Sequence, residues 1–300
     1  MKKILVVGSL NMDSVIETPY MPQIGETILG KGVSQIPGGK GANQAYAIGK
    51  LGGYVSMIGA VGNDMYGKKL VKNLKKVNVH TSGIKVLDNC PTGQAYINVD
   101  HNGDNTIIVI PGANAMITKE MIDENRNLIE ECDMVIMQLE IPIPIVEYVK
   151  SLALSMGKQI VLDPAPAANL PDSFFDGIDI LKPNETELGI LSGRTLDTLK
   201  DLKNGAEQML AKGIKRVVVT LGSEGCLMAE EGKKTFFPAN KVEVVDTTAA
   251  GDSFTAAFVI ALSEGKSYEE AVKFGQKVSS IVVTKKGAQT SIPKREEVRE

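Results

Sequence analysis

The run Asp246-Thr247-Thr248-Ala249-Ala250-Gly251-Asp252 sets two carboxylates around a turn of small residues. It leads into Gly251–Leu262, a segment dense in Ala, Phe and Val that reads as a helix apolar on most faces and therefore buried. The first amides of a helix have no intrahelical acceptor and carry the positive end of its dipole. Small side chains let a phosphate come close to them. Ala249, Ala250 and Gly251 are thus a candidate anion hole. Asp252 is a candidate base, able to take a proton from a hydroxyl while the amides hold a transferring phosphoryl group. A lone aspartate before a helix is more commonly a simple helix-end charge, so the reading depends on the motifs that accompany it.

Four further motifs do so. Gly38-Gly39-Lys40-Gly41-Ala42-Asn43 opens a helix with glycines around a lysine, which suits close backbone approach to a polar ligand. It is not a Walker loop; Gly62…Gly67-Lys68 comes nearer, but Lys69 fills the Ser/Thr place. Gly8-Ser9-Leu10-Asn11-Met12-Asp13 follows a strand, and alternation puts Asn11 and Asp13 on one side, an amide beside a carboxylate, as vicinal hydroxyls require. In Lys182-Pro183-Asn184-Glu185-Thr186-Glu187, Asn184 and Glu187 share a face at a helix start; the local alternative is a capping box. Thr220-Leu221-Gly222-Ser223-Glu224-Gly225 either cradles phosphate or makes a hairpin. The G-x-G-x-x-G fingerprint of dinucleotide binding does not follow the first strand.

Short apolar runs predict the strands that must position these groups: Ile4–Val7, Val55–Ile58, Met134–Met137, Ile160–Leu162, Ile178–Leu181, Val217–Leu221 and Val242–Val245. Helical spacing predicts Ala42–Leu51, Gly67–Lys76, Thr118–Ile129, Ile143–Met156, Leu199–Lys212 and Tyr268–Thr284, with a last helix starting in Lys294–Glu300. Alternating strands and helices predict an α/β fold, a doubly wound and mostly parallel sheet with helices on both faces. Residues 14–37 and 91–111 break the rhythm with turns and, in the second, with period-two alternation around Asn102-Gly103. They are expected to form a small antiparallel β-sheet lid over a domain made of residues 1–13, 38–90 and 112–300.

These motifs, in this order and together with Gln138-Leu139-Glu140 and Lys286-Gly287-Ala288-Gln289, resemble the ribokinase (PfkB-type) family of sugar kinases over nearly the whole chain. The resemblance implies transfer of a phosphoryl group from ATP to a small sugar, ribose in the first instance. Alternatives are 2-deoxyribose, fructose or a nucleoside, and further off a non-catalytic sugar-binding regulator. It implies Asp252 as general base for the 5-hydroxyl, with Ala249, Ala250 and Gly251 as the anion hole. The sugar would lie against Asn11, Met12, Asp13, Gly39, Lys40, Gly41, Ala42, Asn43 and Glu140. Asn184 and Glu187 would position the phosphates and Mg²⁺. Thr220, Leu221, Gly222, Ser223, Glu224, Gly225 and Gln276 would lie along the nucleotide, Gln276 standing where some members place a histidine. A K⁺ loop would use the Asp246 carboxylate, backbone carbonyls of Thr248, Val282, Lys285 and Gly287, and Ser291 nearby.

Composition bounds the alternatives. The chain has 300 residues, 43% of them hydrophobic, with a net charge of -3. No dense basic tract argues for nucleic acid as the main partner. The N-terminal apolar run is too short for a signal peptide, and no apolar stretch is long enough to span a membrane, so a cytoplasmic protein is expected. Three widely spaced cysteines and two histidines leave little material for a disulfide framework, a zinc site or a His-based triad. Apolar Ile97, Val99, Ile107 and Val109 on the lid are expected to clasp a second copy as a homodimer.

Overall fold

A computed structural model describes residues 1–298. The chain begins with β1 (Ile4–Val7), β2 (Asn11–Glu17), β3 (Gly32–Gly38), α1 (Lys40–Lys50), β4 (Val55–Gly62), α2 (Met65–Lys75) and β5 (His80–Leu87). It continues through β6 (Gly93–Val99), β7 (Asn105–Ile110), α3 (Lys119–Asp123), α4 (Arg126–Glu131), β8 (Met134–Met137), α5 (Ile143–Ser155), β9 (Gln159–Leu162) and β10 (Ile180–Leu181). The last part holds α6 (Glu185–Ser192), α7 (Leu199–Ala211), β11 (Arg216–Thr220), β12 (Gly225–Glu230), β13 (Lys233–Pro238), α8 (Ala250–Ser263), α9 (Tyr268–Val282) and α10 (Ala288–Ser291).

Nine strands form one sheet in the order β13-β12-β11-β10-β9-β8-β1-β4-β5. All neighbours from β11 to β5 pair in parallel; β12 and β13 close the sheet as an antiparallel meander. Each parallel strand is a continuous apolar run because both faces are covered. The α1, α2, α8 and α9 side chains bury one face. Those of α3 to α7 bury the other. The parallel strands therefore end on one edge, and the loops leaving β1, β8, β9, β10 and β11 meet there. In doubly wound folds that edge carries the ligand crevice.

The second sheet has four strands, β3-β2-β6-β7. It is mixed: β2 pairs antiparallel with β3 but parallel with β6. The expected wholly antiparallel arrangement fails because the connection from β2 to β6 passes through the large domain and returns in the same direction. The strands also reach further than residues 14–37 imply. Asn11 and Asp13 already sit on β2, and β3 runs to Gly38.

Other departures have local causes. The Val242–Val245 segment is not a strand; the Val245 and Asp246 amides donate to the Val283 carbonyl at the end of α9, and Val242, Val244 and Val245 stay exposed. The helix expected over Thr118–Ile129 breaks into α3 and α4 at Glu124–Asn125, where the Asn125 side chain donates to the Met121 carbonyl. No continuous apolar run marks β5, an edge strand whose burial alternates only weakly. The tail is a single 3₁₀ turn at Arg295–Glu297; the remainder of the helix expected over Lys294–Glu300 lies, from Arg299 on, outside the described residues.

Candidate active site

The core of the site is the start of α8. Ala249, the residue before the helix, adopts φ 60° and ψ 13°, the left-handed region that an alanine enters at a cost of about 1–2 kcal/mol. That turn aims the next amides outward. Ala250 N–H donates to Thr247 O at 3.2 Å and Ser253 N–H to Ala249 O at 2.9 Å, while the Gly251 and Asp252 amides meet no acceptor among the described residues. They face a cleft of about 680 Å³. Residues Asp252 to Ser263 of this helix are all buried, as its composition predicts.

Asp252 is held on both carboxylate oxygens. Asn43 Nδ2 donates to Oδ2 at 3.0 Å and Gln44 Nε2 to Oδ1 at 3.2 Å. Both amides come from the N-terminal half of α1, which starts at the glycine motif. Gly39 takes φ 86°, and a Cβ there would lie 2.7 Å from the Asn11 amide nitrogen. A Cβ on Gly38 would collide with the Asp13 carboxylate. The motif thus lets α1 start against β2 with no side chain between them.

The amides continue outward in series. Gln289 Nε2 donates to Asn43 Oδ1 at 3.0 Å, and Asn73 Nδ2 donates to Gln289 Oε1 at 2.6 Å. On the other side Gln138 Nε2 donates to Gln44 Oε1 at 2.6 Å, and Gln44 Nε2 also reaches Asp163 Oδ2 at 2.9 Å. Asp163 pairs with Lys182 Nζ at 3.0 Å, and that ammonium lies 3.5 Å from the Gly251 carbonyl. The second Asp163 oxygen, Oδ1, is buried without a partner.

Around Asp252 the site is crowded with carboxylates. Burial, then Glu140 and Asp252, push Asp13 from 3.8 to about 7. Burial likewise raises Glu140, against the pull of Lys40 and the Ser9 hydroxyl. Burial and then Asp163 raise Glu187. Lys40 answers them: burial would lower its pKa, but Asp252, Asp163, Glu140 and Glu187 together outweigh it and raise it. The Lys40 amide also donates to Glu140 Oε2 at 3.0 Å. Asn11 is buried and accepts from Asn114 Nδ2 at 2.8 Å.

The remaining sequence-derived residues fall as follows. Lys40, Asn184, Glu187, Thr220, Gly222, Ser223, Gly225, Gln276 and Ala249 to Asp252 line the cleft. Asn184 and Glu187 do form the capping box, each bonding the other's backbone N–H at 2.8 Å. The Asn184 Nδ2 and the other Glu187 oxygen are left for a ligand. Gln276 donates to the carbonyls of Phe237 at 3.0 Å and Pro238 at 3.2 Å, tying the end of β13 to α9. Met12 and Leu221 point into the core, and Ala42 is likewise buried. Gly41 packs against Ser9. Glu224 stays outside the cleft lining.

Asp246 joins two loops. It accepts from the Thr248 amide at 2.9 Å, the Thr248 hydroxyl at 2.6 Å and the Gly287 amide at 2.8 Å. Burial would raise its pKa, but these bonds hold it below the usual carboxylate range. The Thr248 side chain therefore has a role where only its carbonyl was expected. The Val282 carbonyl receives the Lys285 amide at 3.1 Å. Ser291 is buried, its hydroxyl donating to Ala288 O at 2.6 Å. An ionised carboxylate between two loops rich in backbone carbonyls is a donor set that fits a monovalent cation. A free Glu187 oxygen and the partnerless Asp163 Oδ1 fit a hard divalent ion or its waters.

Lys182, Gln44, Gln138 and Gln289 belong to the sequence motifs but carry no expected role, and Asp163, Asn114 and Asn73 lie outside those motifs. Asp163, Lys182 and Gln138 each directly follow a parallel strand, at the edge where the crevice forms. That position was the available signal. The amide partners have no such marker.

Known proteins share the sequence and the fold of the whole chain. The model of the pfkB family carbohydrate kinases matches residues 1–295. A ribokinase of Haemophilus influenzae is 40% identical over 299 residues, covering 100% of this chain and 98% of its own. A deoxyribokinase of Salmonella typhi is 34% identical, covering 99% and 97%. The structure of Arabidopsis thaliana ribokinase complexed with ribose and ATP superposes with a TM-score of 0.93 at 36% identity, covering 99% of this chain and 97% of that one.

Proposed function

The chain belongs to the pfkB family of carbohydrate kinases, and from that premise we propose that it is an ATP-dependent ribokinase forming ribose 5-phosphate and ADP. The observation that carries this reading is the pair of unsatisfied amides at Gly251 and Asp252, opening on the cleft beside a carboxylate held on both oxygens.

In this reading the sugar lies between β2 and the start of α1, its hydroxyls met by Asn11, Asp13, Gly39, Lys40, Asn43 and Glu140. Asp252 accepts the proton of the 5-hydroxyl. The freed oxygen attacks the γ-phosphorus, and the bond to the leaving ADP oxygen breaks. The Gly251 and Asp252 amides hold the oxygens of the transferring group, where charge concentrates. Lys40 offsets the crowd of carboxylates that the incoming phosphates must approach. The nucleotide runs along Thr220 to Gly225 toward Gln276. Asn184 and Glu187 orient the phosphates, and Glu187 is the residue that would hold a magnesium ion, which would supply neutralisation of phosphate charge. The Asp246 carboxylate and the Thr248, Val282, Lys285 and Gly287 carbonyls would hold a potassium ion, which would steady the anion hole without touching substrate.

The four-stranded sheet, residues 14–37 and 91–111 with the adjoining strand ends, acts as the lid. The exposed apolar strand β7 is the surface through which two copies pair. No helix among the described residues is long and apolar enough to cross a membrane, and a cytoplasmic enzyme fits the reduced, scattered cysteines.

The likeness to a deoxyribokinase keeps 2-deoxyribose as the second reading. A site that hydrogen-bonds a 2-hydroxyl rejects the analogue lacking it by about 10⁴, so ADP release on ribose and 2-deoxyribose, with and without K⁺, separates the two. Asp252→Asn keeps fold and sugar binding and loses most turnover; near-wild-type turnover in that variant removes Asp252 from the mechanism.

A further inference from the structure

We infer that Gln44 is a positioning residue for the Asp252 base, an inference that rests on the kinase reading above. Gln44 is fully buried. Its one side-chain NH₂ group forks between Asp252 Oδ1 at 3.2 Å and Asp163 Oδ2 at 2.9 Å. Its carbonyl is taken by Gln138 Nε2 at 2.6 Å, so turning the amide over would put an oxygen against two carboxylates and an NH₂ against a donor. The amide has one stable orientation, and the Asp252 carboxylate has its plane set by it.

The arrangement solves a specific problem. Asp252 lies among Asp13 on β2, Glu140 after β8 and Asp163 after β9, with Lys40 on α1 and Lys182 beside Gly251 as the nearby cations. Two buried aspartates joined through one amide repel each other less than two that face directly. Asp163 is in turn fixed by Lys182 at 3.0 Å and by Thr255 Oγ1 at 3.5 Å. The base is thereby referenced to the end of β9 and the first residue after β10, which are parts of the rigid sheet. Asn43 supplies the other donor to Asp252 but is also a proposed sugar contact. Gln44 is the donor that can be removed without touching the sugar.

The test is Gln44→Met, of similar volume and without the donor, assayed for kcat and sugar KM. Without that donor Asp252 keeps a partner on one oxygen only, so kcat should fall about tenfold with sugar KM within about twofold of wild type. Wild-type kcat in folded Gln44→Met overturns the proposal. So does a loss shared equally by KM and kcat, which is what loosened packing gives. If Gln44→Met does not fold, Gln44→Asn decides: it keeps the amide but draws it back from the carboxylate, and is expected to lower kcat with KM retained, and an unchanged kcat overturns the proposal. Asp252→Asn, run in parallel, separates the two levels. If it retains turnover, the base assignment fails; if it is inactive while the Gln44 variants keep wild-type kcat, only the positioning role fails.

Discussion

Replacing Asp13 by Asn is expected to make the ligand-free protein more stable and the enzyme worse. Asp13 sits on β2 with its carboxyl against Gly38, and burial, Glu140 and Asp252 push it from 3.8 to about 7. Because its folded pKa lies above its unfolded one, ionisation opposes folding. The cost is absent below about pH 3, grows as pH rises past 3.8 and is complete above about pH 7. At about 1.4 kcal/mol for each pKa unit, the displacement amounts to about 4 kcal/mol at pH 8 and somewhat under half of that at pH 5. In a chain of this size a kilocalorie is worth about 2 °C. Asp13→Asn, neutral at every pH, should therefore melt about 5–10 °C above wild type at pH 8. The difference should narrow on acidification and vanish near pH 3. The same change removes a charged acceptor from the proposed sugar site, worth about 1.5–3 kcal/mol, so kcat/KM for ribose should fall about 10- to 100-fold. Thermal unfolding without ligand, followed by calorimetry at pH 3, 5 and 8, checks the first part. Equal melting of the two proteins at pH 8, or a gap that does not change with pH, refutes the reasoning.

Ala249→Gly releases the left-handed alanine, about 1–2 kcal/mol, against about 0.5–1 kcal/mol of added unfolded-chain entropy; melting should rise by about 1–2 °C with turnover retained. Ala249→Val puts a β-branched side chain at φ 60° and should cost more than about 2 kcal/mol together with most activity, read by melting and ADP release. Ile108 on β7 is 63% exposed, beside Ile107, Val109 and Ile110. Ile108→Lys blunts that edge and should convert the proposed dimer to a monomer in light scattering; a wild-type monomer at working concentration refutes the dimer itself.

The α/β class and most of its elements could be read from sequence because apolar run length and helical spacing report burial directly. Met134–Met137 and Ile4–Val7 are buried at every residue, so their runs had no other use. Val242–Val245 shows the limit: the same composition beside the cleft makes an exposed loop, its Val245 amide donating to the Val283 carbonyl instead of to a strand. The mixed pairing of the small sheet depends on the path of residues 18–92 through the large domain, which no local pattern encodes. At the site, Asp252 and the glycine motif announced themselves through turn chemistry. The roles of Gln44 and Gln289 did not, since an amide in a helix looks like a surface residue until its partners are brought from positions more than 90 residues away; Gln138 is marked only by its place after β8.

The series Asn73, Gln289, Asn43, Asp252 has a direction: each side chain offers its NH₂ toward the acid and its oxygen away from it. Such a file of dipoles polarises as one body. Gaining a proton at the acid would relax all of them together, out to a half-covered position on α2. The side-chain amide of Asn73 is thus a distant gauge of the charge on the proposed base, readable by its NMR resonance while the cleft itself is filled.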